Sequence, residues 1–596
     1  MPKPTSMRQS LPGLRGLLRY LGPYIRKQRV VLAGSFGALF TGVIMRALEP
    51  WPLKLVFDHI LLPPDGGVRG APEWLANLQP LRLLLLAATL LLIIILIRAI
   101  SHYYEKVGFA MVGNRVLTEV RGALFRHIQC LSMSFHNRSR SGDLLVRVMG
   151  DIGMLREVSV VALMPLIGNV LVLFVMSGLM LWMNWKLALV VMISAPLYWL
   201  TTIHFGRQIQ DVSRKQRRRE GKMAAGTMEM IGAMQVVKTL TLEEAFAEKV
   251  TSQDQKNLKE GVKFRRLLAR LTGTVQVMMG LSTAAVLFYG TYLVMQGELT
   301  AGSLLVFLSY LKAVFKPLQN FSKYSGRIAR ASAAGDRVIE LFEIEPEVKD
   351  LSGAVDAPSF DGNVRFEGVS FAYKPGHEIL KDIDLSVEPG QMVALLGESG
   401  SGKSTLVEML PRLHDPSSGR VLIDGTDVKQ FTLASLRGQV AFVLQDPLLF
   451  ATTIRENIAF GLPGATEDEI IQAAKKAQAH EFILSQPDGY DTVVGERGVT
   501  ISAGQKQRIA VARAAISPAP ILVLDEPTTG LDDENRTALL DALTALSQGR
   551  TTFMITHDRN EAARADLVLY LEKGVVALRG DLETVWPINK GPGSQV

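Results

Sequence analysis

The stretch Met392-Val393-Ala394-Leu395-Leu396-Gly397-Glu398-Ser399-Gly400-Ser401-Gly402-Lys403-Ser404-Thr405 decides the fold of the C-terminal part of the chain. Five apolar residues read as a buried strand, Leu406–Leu413 reads as a helix, and the glycine-rich run between them is the P-loop pattern in a strand–loop–helix setting. Its glycines let backbone N–H groups curl around phosphates, and the helix N-terminus adds a favourable dipole. Lys403 is placed to reach the β- and γ-phosphates of ATP, and Ser404 offers its hydroxyl to Mg2+.

Two further strands supply the rest of such a site. Ile521–Leu524 is wholly apolar and ends in Asp525-Glu526, which puts two carboxylates at the C-terminal edge of a sheet, where ligands of α/β sheets bind. Asp525 can hold Mg2+ through water, and Glu526 can polarise the attacking water. Thr552–Thr556 delivers His557 to the same edge. From about residue 341 onward, β-rich runs alternate with helical ones, giving an α/β domain over 341–596.

Upstream, the texture is different. The chain has 596 residues, 48% apolar and 20% charged, with mean hydropathy +0.20, which excludes a disordered chain and argues against an ordinary soluble one. The first 340 residues carry 42 Lys and Arg against 20 Asp and Glu, a net +22, whereas the rest carry 23 against 37, a net −14. The basic half also holds the long apolar runs, so its charge reads as membrane flanks and nucleic acid is not an expected partner. Cys130 is the one cysteine, so no intrachain disulfide forms. The N-terminal residues lack a secretory signal, and no removal is expected.

Six spans are expected: Val30 toward Ile60, Leu83 to about Tyr104, the charge-free run between Glu157 and Lys186, Leu187–Phe205, Leu271–Met295, and Ala301 to about Tyr324. Lys and Arg crowd the segment before the first span and the 207–270 segment, so both termini and the two long inter-span segments are expected on the cytoplasmic side. Those segments should be helical, carrying the spans well beyond the membrane. Residues 1–29 read as a cytoplasmic amphipathic elbow, with Leu11, Leu14, Leu17, Leu18 and Leu21 interleaved with Arg15 and Arg19. Residues 30–340 then form the membrane domain.

The run Ile501-Ser502-Ala503-Gly504-Gln505-Lys506-Gln507-Arg508 resembles the signature sequence of ATP-binding-cassette (ABC) proteins, whose usual form is Leu-Ser-Gly-Gly-Gln. Tyr373, Gln445 in Leu444-Gln445-Asp446-Pro447, Leu531-Asp532, and Gly495-Glu496-Arg497-Gly498 match other motifs of that family. Ser134-Phe135-His136, Ser141-Gly142-Asp143 and Gln235-Val236-Val237-Lys238 match its exporters. The resemblance implies six long transmembrane helices of exporter type followed by an α/β P-loop ATPase domain, in a multi-pass protein of a bacterial inner membrane. It also implies a shared site. Tyr373 stacks on adenine, the P-loop from Gly397 to Thr405 holds the phosphates, and Ser404, Gln445 and Asp525 hold Mg2+. Glu526 and His557 attend the γ-phosphate with Lys403 and Gln445, Asp532 lies at the nucleotide interface, and Ser502, Gly504 and Gln505 come from a second chain. Ala503 departs from the usual signature glycine, and Thr529-Gly530 stand where many relatives have Ser-Ala, which implies a slower or differently tuned site.

One chain supplies one half, so a homodimer is expected, with a paralogous half-transporter as the alternative. The expected activity is ATP-driven export or flipping of an amphipathic substrate, with membrane lipids as surroundings. An ATP-gated channel or scaffold, and one half of a heterodimeric multidrug or peptide exporter, are the alternatives. At 1.5 Å per residue, Arg98 lies roughly 22 Å along span two, and Lys312 and Lys316 lie roughly 16 and 22 Å along span six. No acid lies near that depth in spans two to six. Intramembrane charges usually line a wet cavity or find a partner, so the three residues are expected to receive an anionic, lipid-like headgroup.

Overall fold

The computed structural model describes residues 20–61, 79–139, 141–158, 164–374, 376–495, 501–529 and 533–586. Leu11 to Arg19 of the elbow, Glu496-Arg497-Gly498 and Gly530-Leu531-Asp532 lie outside the described residues, so the expectation for Asp532 has no structural counterpart. The chain divides into two compact units, one of residues 1–129 and 141–344, the other of 130–140 and 345–596.

The first unit is helical. Its long helices are Arg29–Leu48, Pro80–Cys130, Met164–Met183, Trp185–Gly232, Glu243–Met295 and Ala301–Phe342. Pro50 and Pro52 interrupt the first, which resumes as Trp51–Val56 and a π-helical turn at Phe57–Leu61. The helices of 51, 48 and 53 residues would each reach roughly 70–80 Å, more than twice a hydrocarbon core of about 30 Å. Apolar spans and polar extensions are therefore continuous helices. The tight link at residues 183–186 follows from Asn184, whose side chain accepts from Leu187 N at 3.0 Å and starts the next helix. Thr300 does the same for Ala301–Phe342.

Among the described residues, four helical stretches are long and apolar enough to cross a membrane: Arg29–Leu61, Pro80–Cys130, Met164–Met183 and Glu243–Met295. Among the described residues, Ala301–Phe315 is a shorter apolar stretch of the helix Ala301–Phe342. The expected fourth span lies on the continuous helix Trp185–Gly232, whose residues 187–204 carry no Asp, Glu, Lys or Arg. Leu85, Leu92, Ile93, Phe174 and Phe288 point outward, as lipid-facing residues do, while Val43, Met176, Leu187, Val286, Phe307 and Leu311 form the core.

Among the described residues the second unit has ten strands: β1 Val364–Lys374, β2 His377–Val387, β3 Met392–Gly397, β4 Ser418–Ile423, β5 Thr426–Asp427, β6 Val440–Val443, β7 Ile521–Asp525, β8 Thr551–Ile555, β9 Leu567–Glu572 and β10 Val575–Gly580. They make an antiparallel sheet, β2-β1-β4-β5, and a larger one, β10-β9-β3-β8-β7-β6, in which all neighbours but β9 and β10 are parallel. Strands β3 and β8 are buried at every position, and β7 at all but its last, as a sheet covered on both faces requires. The register does the positioning: Val443 pairs with Leu524, Asp525 with Ile555, and Leu395 with Ile555. The residues just beyond β6, β7, β8 and β3 therefore emerge side by side at one edge.

Candidate nucleotide site

Four strand ends build the site. Beyond β3 the backbone turns through Gly397, Gly400 and Gly402 with φ of +143°, +82° and +104°, left-handed values that favour glycine. A Cβ on Gly397 would sit 2.3 Å from Leu571 O, and one on Gly402 would sit 2.6 Å from Leu380 Cδ2, so neither can be substituted without moving neighbours. Lys403, 6% exposed, opens the following helix and donates from Nζ to Gly397 O at 2.8 Å and Glu398 O at 2.9 Å. Burial lowers the Lys403 pKa, against the opposing pull of Glu526 and Asp525. The Ser401 hydroxyl is buried and has no hydrogen-bond partner among the described residues.

The acidic pair is brought to this loop as the sequence expects. Burial pushes the Asp525 carboxyl up from its ordinary value; a hydrogen bond from Ser404 opposes that, and Glu526 adds to it. Glu526 adopts φ +44°, unusual for a residue with a side chain, and its N–H donates to Ile555 O at 3.0 Å. That turn aims the carboxylate at three groups. Oε2 accepts from Gln445 Nε2 at 2.6 Å and from Thr529 Oγ1 at 3.3 Å, and Oε1 lies 3.0 Å from His557 Nε2. A cavity of about 410 Å3 is lined by Gly397, Glu398, Ser399, His557, Tyr570 and Trp586.

Tyr373 is half-buried at the end of β1. Its hydroxyl lies 3.1 Å from Thr405 Oγ1, and its ring stands edge-on to Phe371 and His414 at 4.9 and 5.2 Å between centroids. Arg138, from the short helix Met133–Arg138, donates to the Tyr373 carbonyl at 2.6 Å. That helix follows the long helix Pro80–Cys130 in sequence, yet residues 130–140 belong to the second unit. Ser502 and Gln505 form a capping box at the start of helix Ala503–Ile516, with Ser502 Oγ accepting from Gln505 N at 3.3 Å and Gln505 Oε1 accepting from Ser502 N at 3.1 Å. Among the described residues, no hydrogen bond joins that cap to the P-loop. Ala503 is the first residue of the helix and is not among the positive-φ residues, so a methyl group is accommodated there.

The residues fit a nucleoside triphosphate. The glycine cradle, the unpartnered Ser401 hydroxyl and the desolvated Lys403 together offer donors to phosphate oxygens. Among the described residues, no three His, Cys, Asp or Glu groups cluster as a metal site. A Mg2+ here would rest on the Ser404 hydroxyl, Asp525 and the phosphates themselves. Thr529 and Arg138 were not among the expected site residues, whereas Thr405 was. Thr529 adjoins the acidic pair, whereas Arg138 lies 235 residues from Tyr373 and gives no local signal.

Residues 34–318 match the ABC transporter transmembrane region family, and residues 380–529 match the ABC transporter family. Over 567 residues, 94% of this chain and 95% of that protein, the sequence is 35% identical to YgaD of Bacillus subtilis (strain 168), an ATP-binding/permease protein assigned to multidrug export. The chain belongs to the ABC transporter family. It is also 32% identical to an ATP-dependent lipid A-core flippase of Syntrophus aciditrophicus (strain SB), over 82% of this chain and 81% of that one. A bacterial Atm1-family ABC exporter with ATP bound shares its structure, with a TM-score of 0.77 at 28% identity, covering 94% of this chain and 96% of that chain. The ABC chain is thus an exporter half, with a helical transmembrane domain fused to an ATPase domain that binds nucleotide.

One expectation needs correction. Arg98 forms an ion pair with Glu49, at the end of the first helix segment. The partner lies in span one, outside the spans two to six that carry no acid near that depth. Lys312 is exposed, and Lys316 follows it by one turn on Ala301–Phe342.

Proposed function

We propose that this ABC exporter works as a homodimer in a bacterial cytoplasmic membrane, with its termini inside, and moves an amphipathic, anionic lipid-like molecule outward. The juxtaposition of Lys403, Ser404, Gln445, Glu526 and His557 at one sheet edge carries the ATPase part of this reading. Backbone N–H groups of residues 397–405 and Lys403 bind the phosphates, and Tyr373 packs on the base. Glu526, held by Gln445 and Thr529, accepts the proton of the water that attacks the γ-phosphorus, while His557 supports the transferring group. Mg2+, when bound through Ser404, Gln445 and Asp525, neutralises charge on the phosphates. Ser502, Gly504 and Gln505 of the partner subunit, with Asp532, complete each site. Because Glu526 and His557 are both present, two identical chains make two complete sites.

The substrate class rests on Lys312 and Lys316, now without Arg98. Two cations a turn apart in an apolar helix favour a phosphate or carboxylate headgroup. The lipid A-core flippase among the relatives is consistent with such a cargo. The test is ATPase stimulation by anionic and by cationic amphiphiles in the reconstituted protein and in Lys312→Ala, Lys316→Ala. Selective loss of anion stimulation is expected. Preserved anion stimulation, or a wild type answering only cations, overturns the substrate assignment.

A further inference from the structure

The loop after β7 and the loop after β8 carry Glu526 and His557, and one buried side chain ties them together. Glu561 is 2% exposed, on the short helix Arg559–Ala562. Its Oε1 accepts from Thr528 Oγ1, two residues beyond Glu526, and its Oε2 accepts from Thr556 Oγ1 at 2.5 Å, one residue before His557. Thr528 and Thr556 are themselves 5% and 1% exposed, so none of the three groups can turn to solvent for a substitute. The Thr556 oxygen is used twice, because it also accepts from Asp558 N at 2.9 Å. Asp558 in turn caps the helix through Asn560 N at 2.7 Å and faces Arg536 at 3.6 Å. The carboxylate is thus a common acceptor for two loops that are also joined by Glu526 N to Ile555 O and by the 3.0 Å contact of Glu526 with His557.

We propose that Glu561 is a positioning residue for ATP hydrolysis: by holding Thr528 and Thr556 at once, it fixes the separation of Glu526 and His557. A buried carboxylate costs free energy, and two hydrogen-bonded hydroxyls only partly offset it. A purely structural role would be filled as well by an apolar side chain of the same volume. The hydroxyls on both loops, each a residue or two from a reacting group, give the charge its use. The residues proposed to hold the base and the phosphates lie on β1 and the P-loop, to which no hydrogen bond of Glu561 is found among the described residues. Its loss should therefore lower the rate of hydrolysis while leaving binding in place.

The experiment uses the full-length protein in lipid nanodiscs. ATP turnover and ATP affinity are measured for Glu561→Ala, Glu561→Gln, Thr528→Val with Thr556→Val, and all three positions together. Glu561→Ala is expected to lower kcat at least tenfold with KM within about twofold. The two-valine variant, which keeps packing, should show the same loss, and adding Glu561→Ala to it should cost little more, because both remove one linkage. Glu561→Gln, able to accept from one threonine and donate to the other, should recover most of kcat. A kcat within twofold of wild type in the two-valine variant overturns the proposal. So does a Glu561→Ala loss that appears equally in ATP affinity, or a triple variant whose losses multiply.

Discussion

Replacing Glu526 by Gln isolates the charge from the shape. The carboxylate accepts from Gln445 Nε2 at 2.6 Å and Thr529 Oγ1 at 3.3 Å on one oxygen, with His557 Nε2 at 3.0 Å from the other. An amide keeps its oxygen toward Gln445 and Thr529 and turns its NH2 toward His557, whose ring can present an acceptor nitrogen in the other neutral tautomer. The hydrogen bonds and the positive φ of residue 526 can then survive, and what disappears is basicity toward water. Loss of a positioned general base costs about 10²–10⁴ in rate, or about 2.7–5.4 kcal/mol in the barrier. The donors to phosphate, Lys403 and the loop N–H groups, are untouched, so ATP affinity should stay within about threefold. Phosphate release at saturating ATP gives the first quantity, and equilibrium binding of a fluorescent ATP analogue gives the second. Turnover within tenfold of wild type would refute the assignment of Glu526 as base. A parallel collapse of affinity would show that its charge serves binding instead.

Ser502→Arg should abolish turnover of the full-length protein while leaving ATP affinity nearly unchanged, because this serine caps its own helix and contacts no P-loop residue among those described; equal loss of affinity would place it in its own chain's site. Asp525 bears on pH: its folded pKa is raised by burial above 3.8, so the stability it contributes is present below that value and is lost as pH rises through the raised one. Nucleotide-free Asp525→Asn should lack that decline and melt a few degrees above wild type at pH 8, while hydrolysing no ATP; an Asn variant that melts lower at pH 8 contradicts the desolvation argument.

The catalytic edge was legible because its grammar is local. A glycine run after an apolar strand, or two acids closing another, implies strand ends, and parallel pairing then brings those ends together without further information. The continuous long helices followed equally from apolar runs joined by polar, glycine-poor segments. What stayed hidden depends on pairs far apart in sequence. Arg98 finds Glu49 across 49 residues, and neither hydropathy nor charge counting distinguishes a paired intramembrane arginine from an unpaired one. The grouping of residues 130–140 with the ATPase unit is of the same kind, because its sequence continues the helical texture of the membrane half.

The segment Asp558-Arg559-Asn560-Glu561 shows why local patterns mislead at a functional site. An acidic cap followed three residues later by Glu reads as a capping box, in which Glu561 would reach back to Asp558 N. Neither half of that pattern forms: Asp558 takes Asn560 N rather than Glu561 N, and Thr556 Oγ1 accepts from Asp558 N in place of the glutamate. A hydroxyl from the preceding strand end does the acid's usual work, and the acid is turned into the protein, where it meets Thr528 and Thr556. An exposed cap would have cost nothing, whereas the buried carboxyl has its pKa raised by desolvation in spite of both hydroxyls. A fold optimised for stability alone would leave Glu561 outside. Its place between the loops of Glu526 and His557 is therefore better explained by the geometry of hydrolysis than by the helix it lies on.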